Sequence, residues 1–271
     1  MFSSSVVKFV VGAFLVVGVA GLVSSCKESS QAPTSGDTAG PNEPNKTSTA
    51  KKNPAGTEEL VPIPLELPRP MFVGTPTNIR VPNLEKPLGK PRPPFLAPAG
   101  TKNVALGKPV TSSDPRPIIG KLEMITDGDK EATDGSCVEL GPFLQHVTID
   151  LGARYNIYAV VVWHYHKQAR VYFDVIVQVA DDPDFITNVH TIFNNDIDNS
   201  AGLGIGHDMH YVETAEGKLI DAKGVQGRYV RLYSRGNNAN DFNFIVVLYL
   251  RNSGRRSTVT STDDEFNFLF F

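Results

Sequence analysis

Apolar and polar positions alternate with a period of two along the C-terminal half of the chain. In His146 to Leu151, Val147, Ile149 and Leu151 share one face, with Thr148 and Asp150 on the other. Asp174 to Val179 sets Val175, Val177 and Val179 against Asp174 and Gln178, and Arg228 to Tyr233 sets Val230 and Leu232 against Arg231. Two further runs are apolar on both faces: Ala159 to Trp163, leading into His164-Tyr165-His166, and Phe244 to Leu250. Alternation marks half-buried strands, while short continuous apolar runs mark covered or central ones. No window carries a helical stripe with caps. Short antiparallel strands without intervening helices predict an all-β antiparallel β-sandwich, or jelly roll, over residues 101 to 252. That length is enough to hold a core of its own.

The first hundred residues break this pattern. Lys8 precedes an uninterrupted apolar run, residues 9 to 23, that closes on Ser24-Ser25-Cys26. The run is shorter than the ~20 residues that cross a hydrocarbon core and ends on small residues, the layout of a signal peptide over residues 1 to 25. Val23-Ser24-Ser25-Cys26 resembles a bacterial lipobox, which implies diacylglycerol attachment to Cys26 and an exported, lipid-anchored chain. Lys27 stands where an inner-membrane retention Asp would, which points to the outer membrane or cell surface. Residues 26 to 60 are rich in Ser, Thr, Pro, Gly and Lys and predict a disordered tether.

From residue 61 to 100 proline alternates with Leu65, Leu67, Met71, Phe72, Leu84 and Phe95, whereas only five of the twenty prolines lie beyond residue 100. Such density forbids helix and central strand and leaves extended chain. The interleaved apolar residues leave two readings open, a segment lying along the domain or a semi-rigid stalk. Residues 253 to 271 begin polar and end Phe-Asn-Phe-Leu-Phe-Phe, a C-terminal tail.

Composition narrows the partners. A net charge of -3, with bases dispersed among acids, offers no stripe for nucleic acid. Cys26 and Cys137 are the only cysteines. With Cys26 lipidated no intrachain disulfide forms, so the core alone must hold the fold. Cys137 has no paired base nearby in the sequence and is expected to be a buried small apolar residue.

Four local motifs occur in order: Asn103 to Ser113, Thr126-Asp127-Gly128-Asp129 through Thr133, His146 to Gly152 ending Asp-Leu-Gly, and Gly227 to Tyr233. Together they resemble discoidin, or F5/8 type C, domains. The resemblance implies a galactose-binding-like, carbohydrate-binding-module-like jelly roll that recognises ligands through loops at one end without catalysis. Two departures are visible. Ser136-Cys137-Val138-Glu139 follows the acidic turn where many relatives carry Trp, and Val246-Val247-Leu248-Tyr249 replaces a late Glu-containing strand.

Candidate chemistry follows from these loops. By the resemblance a structural calcium would sit on Asp127, Asp129 and Thr133, whose oxygens suit a hard cation. The alternative is a turn whose aspartates bond nearby backbone amides. His166, Arg170, Asn195, Asp196, Asn240 and Asp241 are the candidate ligand-binding residues, because carboxamides and carboxylates both orient sugar hydroxyls. Either carbohydrate or another envelope protein fits such a surface. His164 and His166, two apart in a strand, also raise a cupin-like metalloenzyme, although Lys167 to Arg170 do not continue that pattern. His207 and His210 are expected as separate surface histidines. Trp163, among apolar neighbours, is expected in the core. No Ser-His-Asp order and no phosphate-binding glycine loop is present.

Overall fold

The computed structural model describes residues 59 to 72, 78 to 133 and 135 to 256, with 247 to 256 followed as backbone only. The expected signal peptide, Cys26, the expected tether up to residue 58 and residues 257 to 271 lie outside the described residues.

The strands, in chain order, are β1 (Leu60–Pro62), β2 (Leu96–Pro98), β3 (Lys102–Asn103), β4 (Val110–Ser112), β5 (Val138–Pro142), β6 (Gln145–His164), β7 (Ile176–Ala180), β8 (His190–Asn194), β9 (Lys218–Ser234) and β10 (Phe242–Arg256). A 3-10 turn, Leu122–Thr126, is the only helical element among the described residues. β1 and β2 form a small antiparallel pair. The remaining strands join in the order β3-β10-β6-β9-β7-β8, with β4 added to β6 and β5 to β10.

β6 and β9 pair twice. Gln145 to Asp150 runs beside Ser234 to Tyr229, and Tyr155 to Val162 runs beside Gly227 to Lys218, with the register broken between Asp150 and Tyr155. Gly152 sits in that break at φ +81°, a region open to glycine without a Cβ clash. Asp150 secures the bend, accepting the Gly152 N–H at 2.8 Å and a two-point contact from Arg228 at 2.7 and 2.8 Å. That pairing holds the Asp150 carboxyl below its ordinary range.

The bend folds one sheet onto itself and makes the sandwich. Val147, Ile149 and Leu151 before it, and Ile157, Val160 and Val162 after it, enter one buried cluster with Val177, Val179, Val230, Leu232 and Ile245. Each such side chain taken fully out of water contributes about 1.5 to 3 kcal/mol. The two runs at 146–151 and 159–166, separate in the alternation pattern, are therefore one strand that serves both layers, and it stops at His164.

The outward face of β6 is covered as well. Val161 and Trp163 form a second buried cluster with Ala132, Cys137 and Val246, and Leu65 and Leu219 pack against it. The Trp163 indole N–H donates to the Ala215 carbonyl at 3.0 Å. Gly217, at φ +63°, approaches so closely that a Cβ there would lie 2.6 Å from the indole ring. This double covering explains a strand that is apolar on both faces.

Part of the cover is the Pro-rich segment. Leu60, Val61 and Pro62 pair with Pro98, Ala97 and Leu96, Leu84 bridges His210, and Ile63 N–H donates to the Phe95 carbonyl. Arg92 donates to the carbonyls of Gly217 and Glu216 at 2.8 and 2.9 Å, and Lys218 pairs with Glu85 at 2.7 Å. Through these contacts the described part of the segment forms a strap against the domain. Its short pairings suit prolines, which cannot sustain a ladder.

The environment of His146 predicts an acid sensitivity of the fold. Burial, and then the neighbouring Arg231, lowers the His146 imidazole from 6.5 to about 4. Between those values the unfolded chain binds a proton that the folded chain does not, so stability falls as pH drops from about 6.5 to about 4 and levels off below. In thermal melts across this range, His146→Gln is expected to show a shallower loss of Tm on acidification than the unmodified chain.

Candidate functional site

Because β6 doubles back, its two ends meet at one rim of the sandwich. β9 finishes beside the start of β6, with Ser234 opposite Gln145, and β10 starts beside its end, with Ile245 opposite His164. Asn243, fully buried at the head of β10, ties the loops of this rim together. Its Oδ1 accepts from the Ser234 hydroxyl at 2.9 Å and the Gly236 N–H at 2.8 Å, and its Nδ2 donates to the carbonyls of Gly141 and Phe143, each at 3.0 Å. The amide's whole hydrogen-bonding capacity is used on the two turns it joins.

Between those turns opens a cleft of about 500 Å³. Phe143, Phe173, Asp174, Ile197, Asp198, Ser200, His210, Arg235 and Asp241 line it, and Val81 and Pro82 of the strap complete the wall. Phe143 is 72 % exposed and sits at φ +67°. A bulky residue at positive φ costs on the order of 1–3 kcal/mol and persists where its surroundings over-determine it, as Asn243 does here. Asp174, at φ +48°, shares the same strain and so falls outside β7, although the alternation placed it in the strand.

Charge is unevenly spread across the cleft. Asp174 Oδ2 accepts from the Ser200 hydroxyl at 2.8 Å and lies 3.6 Å from Arg235 Nη1; burial pushes its pKa up. Asp198 is held below its ordinary range, chiefly by hydrogen bonding from Ser200. Arg235 Nη1 also donates to the Ser200 carbonyl at 3.1 Å. His210 meets Phe173 edge-on at 5.5 Å, its pKa is lowered by burial, and its Nδ1 has no hydrogen-bond partner. It is not the surface histidine expected, because the strap pairs with its backbone through Asn83 and Glu85.

Of the candidate ligand-binding residues, only Asp241 lines the cleft. Asn195 is buried, accepting from Val175 N–H at 2.7 Å and donating to the Tyr172 carbonyl. Asp196 is buried too and caps the N–H groups of Ser200 and Ala201 at 3.0 and 2.9 Å. Asn240 accepts from Asn237 Nδ2 and Phe242 N–H inside the β9–β10 turn. His166 is buried with Nε2 on the Lys130 carbonyl at 2.8 Å, and the Arg170 guanidinium stacks over Tyr165 and Phe244 at 4.9 and 4.7 Å.

The paired imidazoles do not converge. β6 ends at His164, so the shared direction that a strand would impose does not extend to His166. His164 Nδ1 instead meets Glu213 Oε2 at 3.1 Å, with both side chains buried, and its ring stacks on Tyr172 at 4.2 Å.

The expected calcium residues form turns. Asp127 Oδ1 accepts from Asp129 N–H at 2.8 Å, Asp129 Oδ1 accepts from Glu131 N–H at 2.9 Å, and Asp129 Oδ2 and Thr133 Oγ1 both contact the Ser136 hydroxyl at 2.7 Å. Among the described residues, the acidic group close enough to share one cation is Asp174, Asp196 and Asp198, with ligand oxygens within 4.8 Å of one another.

Phe143, Phe173, Arg235 and Asn243 were not singled out from the sequence. The Gly141-Pro142-Phe143 turn was the one available signal, an aromatic placed at a chain reversal.

No protein-family model matches the chain, and no curated protein matches it. Among solved structures, it is similar to the CBM32 of AlyQ in complex with 4,5-unsaturated mannuronic acid, at 18% identity over 52% of this chain and 92% of that one, with a TM-score of 0.39. It is also similar to a CBM32 produced by Clostridium perfringens in complex with GlcNAc-alpha-1,4-galactose, at 17% identity over 58% of this chain and 97% of that one, with a TM-score of 0.42. The chitosan-binding module 1 of a chitosanase/glucanase from Paenibacillus sp. IK-5 gives 17% identity over 55% and 97% of the two chains, with a TM-score of 0.37. Against the family 89 glycoside hydrolase from Clostridium perfringens, 57% of this chain matches at 18% identity with a TM-score of 0.40, and it spans 15% of that chain.

The Asn243 brace can be tested directly. Asn243→Leu keeps the branching at Cγ but strips four partners of their bonds, and about 3 kcal/mol of stability should be lost in urea titrations.

Proposed function

We propose that the domain is a non-catalytic carbohydrate-binding module on an exported, lipid-anchored chain, with its ligand seated in the Phe143 cleft. The observation that carries this reading is a phenyl ring held exposed, at a strained backbone angle, over a cleft of fixed polar groups. A flat apolar face suits the C–H side of a pyranose ring. Asp174, Ser200 and Arg235, already ordered by one another, present acceptors and donors to hydroxyls without a further ordering cost. A concave site with a few convergent polar groups is the general form of a small-ligand site.

A second reading, docking of another envelope protein, draws on the exposed apolar side chains Ile197, Leu203, Ile205 and Met209 along the loop beside the cleft. Glycan-array screening of the full chain, with and without calcium because of the neighbouring Asp174, Asp196 and Asp198, separates the two. Phe143→Ala is expected to weaken glycan binding at least ~10-fold with Tm little changed, because the ring is mostly exposed. Absence of binding to every glycan, together with a stoichiometric protein partner after crosslinking, would favour docking.

The anchor is tested separately. Cys26→Ser is expected to move the chain from the membrane fraction to the soluble exported fraction and to remove the diacylglycerol mass increment; retention in the membrane would count against lipidation.

A further inference from the structure

We propose that the cleft selects sugars bearing protonated amines, an inference that rests on carbohydrate binding at Phe143. The lining sets three carboxylates, Asp174, Asp198 and Asp241, against one guanidinium, Arg235. That guanidinium is already engaged, with Nη1 3.1 Å from the Ser200 carbonyl and 3.6 Å from Asp174 Oδ2. Asp198 and Asp241 are exposed and carry no cationic partner among the described ion pairs. An acidic sugar entering here meets like charge, and a neutral one gains hydrogen bonds alone. An ammonium gains both hydrogen bonds and Coulomb attraction.

A second, independent feature points the same way. His210 is 6 % exposed and lines the cleft, yet its Nδ1 lacks a partner. A buried ring nitrogen without a bond is costly unless a ligand or water completes it. In the tautomer protonated at Nε2 this nitrogen accepts an N–H, which an ammonium reaching it supplies and a carboxylate cannot. The Phe143 face adds attraction for a cation placed above it.

The experiment is calorimetric titration of the full chain in detergent with three probes: a chito-oligosaccharide with free amines, its fully N-acetylated counterpart, and a neutral gluco-oligosaccharide of the same length. The free-amine probe is expected to bind at least ~10-fold more tightly than the acetylated one at a pH that protonates the amines. That preference should shrink with added salt, since exposed charges are screened. Asp198→Asn with Asp241→Asn should bring the ratio between the two probes toward one, and Asp241→Asn alone should lower it, which guards against a collapsed loop in the double variant.

Equal affinity for all three probes overturns the amine preference and leaves the carbohydrate reading standing. A preference that survives both substitutions overturns it as well, as does binding that requires calcium and ignores the amine. Failure of every probe, while a folded Tm is retained, overturns the inference, and the reading beneath it then stands or falls on the glycan array.

Discussion

The constraint on which the structure depends is that β6 and β9 remain paired through a bend. A sandwich assembled from separate strands would need its layers brought together by side-chain packing alone. Here the backbone ladder runs from one layer into the other, and the Asp150–Arg228 pair beside Gly152 fixes where it turns. The aliphatic side chains on both sides of the bend then face each other automatically. The same bend returns the end of β6 to the level of its start, so the β5–β6 turn, the β9–β10 turn, the loop before β7 and the loop after β8 gather on one rim. Position of the cleft is thus a consequence of sheet geometry rather than of any loop's own preference.

Much of this was legible in the chain and some was not, for identifiable reasons. Period-two alternation reports a face in contact with a core, and Val147, Ile149, Leu151, Val177, Val179, Val230 and Leu232 all obey it. Alternation is silent about continuity, because residues at a bend, such as Gly152 to Asn156, carry neither pattern. It is also silent where a strand's face is partly wet, as with His190 and Thr191 in β8. The apolar face of Val161 and Trp163 announced a cover but not its source, which includes Leu65 from a segment nearly a hundred residues earlier in the chain. Nothing local to either stretch encodes that meeting.

The candidate site was harder to read because polarity in a loop has two uses. Asn195, Asp196 and Asn240 have the composition of a recognition surface, yet their side chains satisfy backbone groups that an irregular chain leaves without ladder partners. Asp127 and Asp129 do the same in the earlier acidic turn. Residue type cannot separate the two uses, since a carboxylate that caps an amide is chemically the one that would hold a sugar. What separates them is direction, and direction comes from the tertiary arrangement. Phe143 was missed for the converse reason: an aromatic is expected inside, and only the strained turn turns it out.

The division of labour on the rim follows from that distinction. Inward-facing amides, Asn243 and Asn195 above all, are engaged in holding turns, so the strained angles at Phe143 and Asp174 are sustained by bonds buried beneath them. The outward groups Phe143 and Asp241 contribute little to that framework and are correspondingly available to a ligand, while Asp198, also outward, accepts the Ser200 N–H at 3.0 Å. Strain kept at the surface and offset from below yields a cleft whose shape exists before anything enters it, which removes an ordering cost from association. A change in an inward amide therefore acts first on stability and only through it on recognition, whereas a change in Phe143 or Asp241 acts chiefly on recognition and one in Asp198 acts on both.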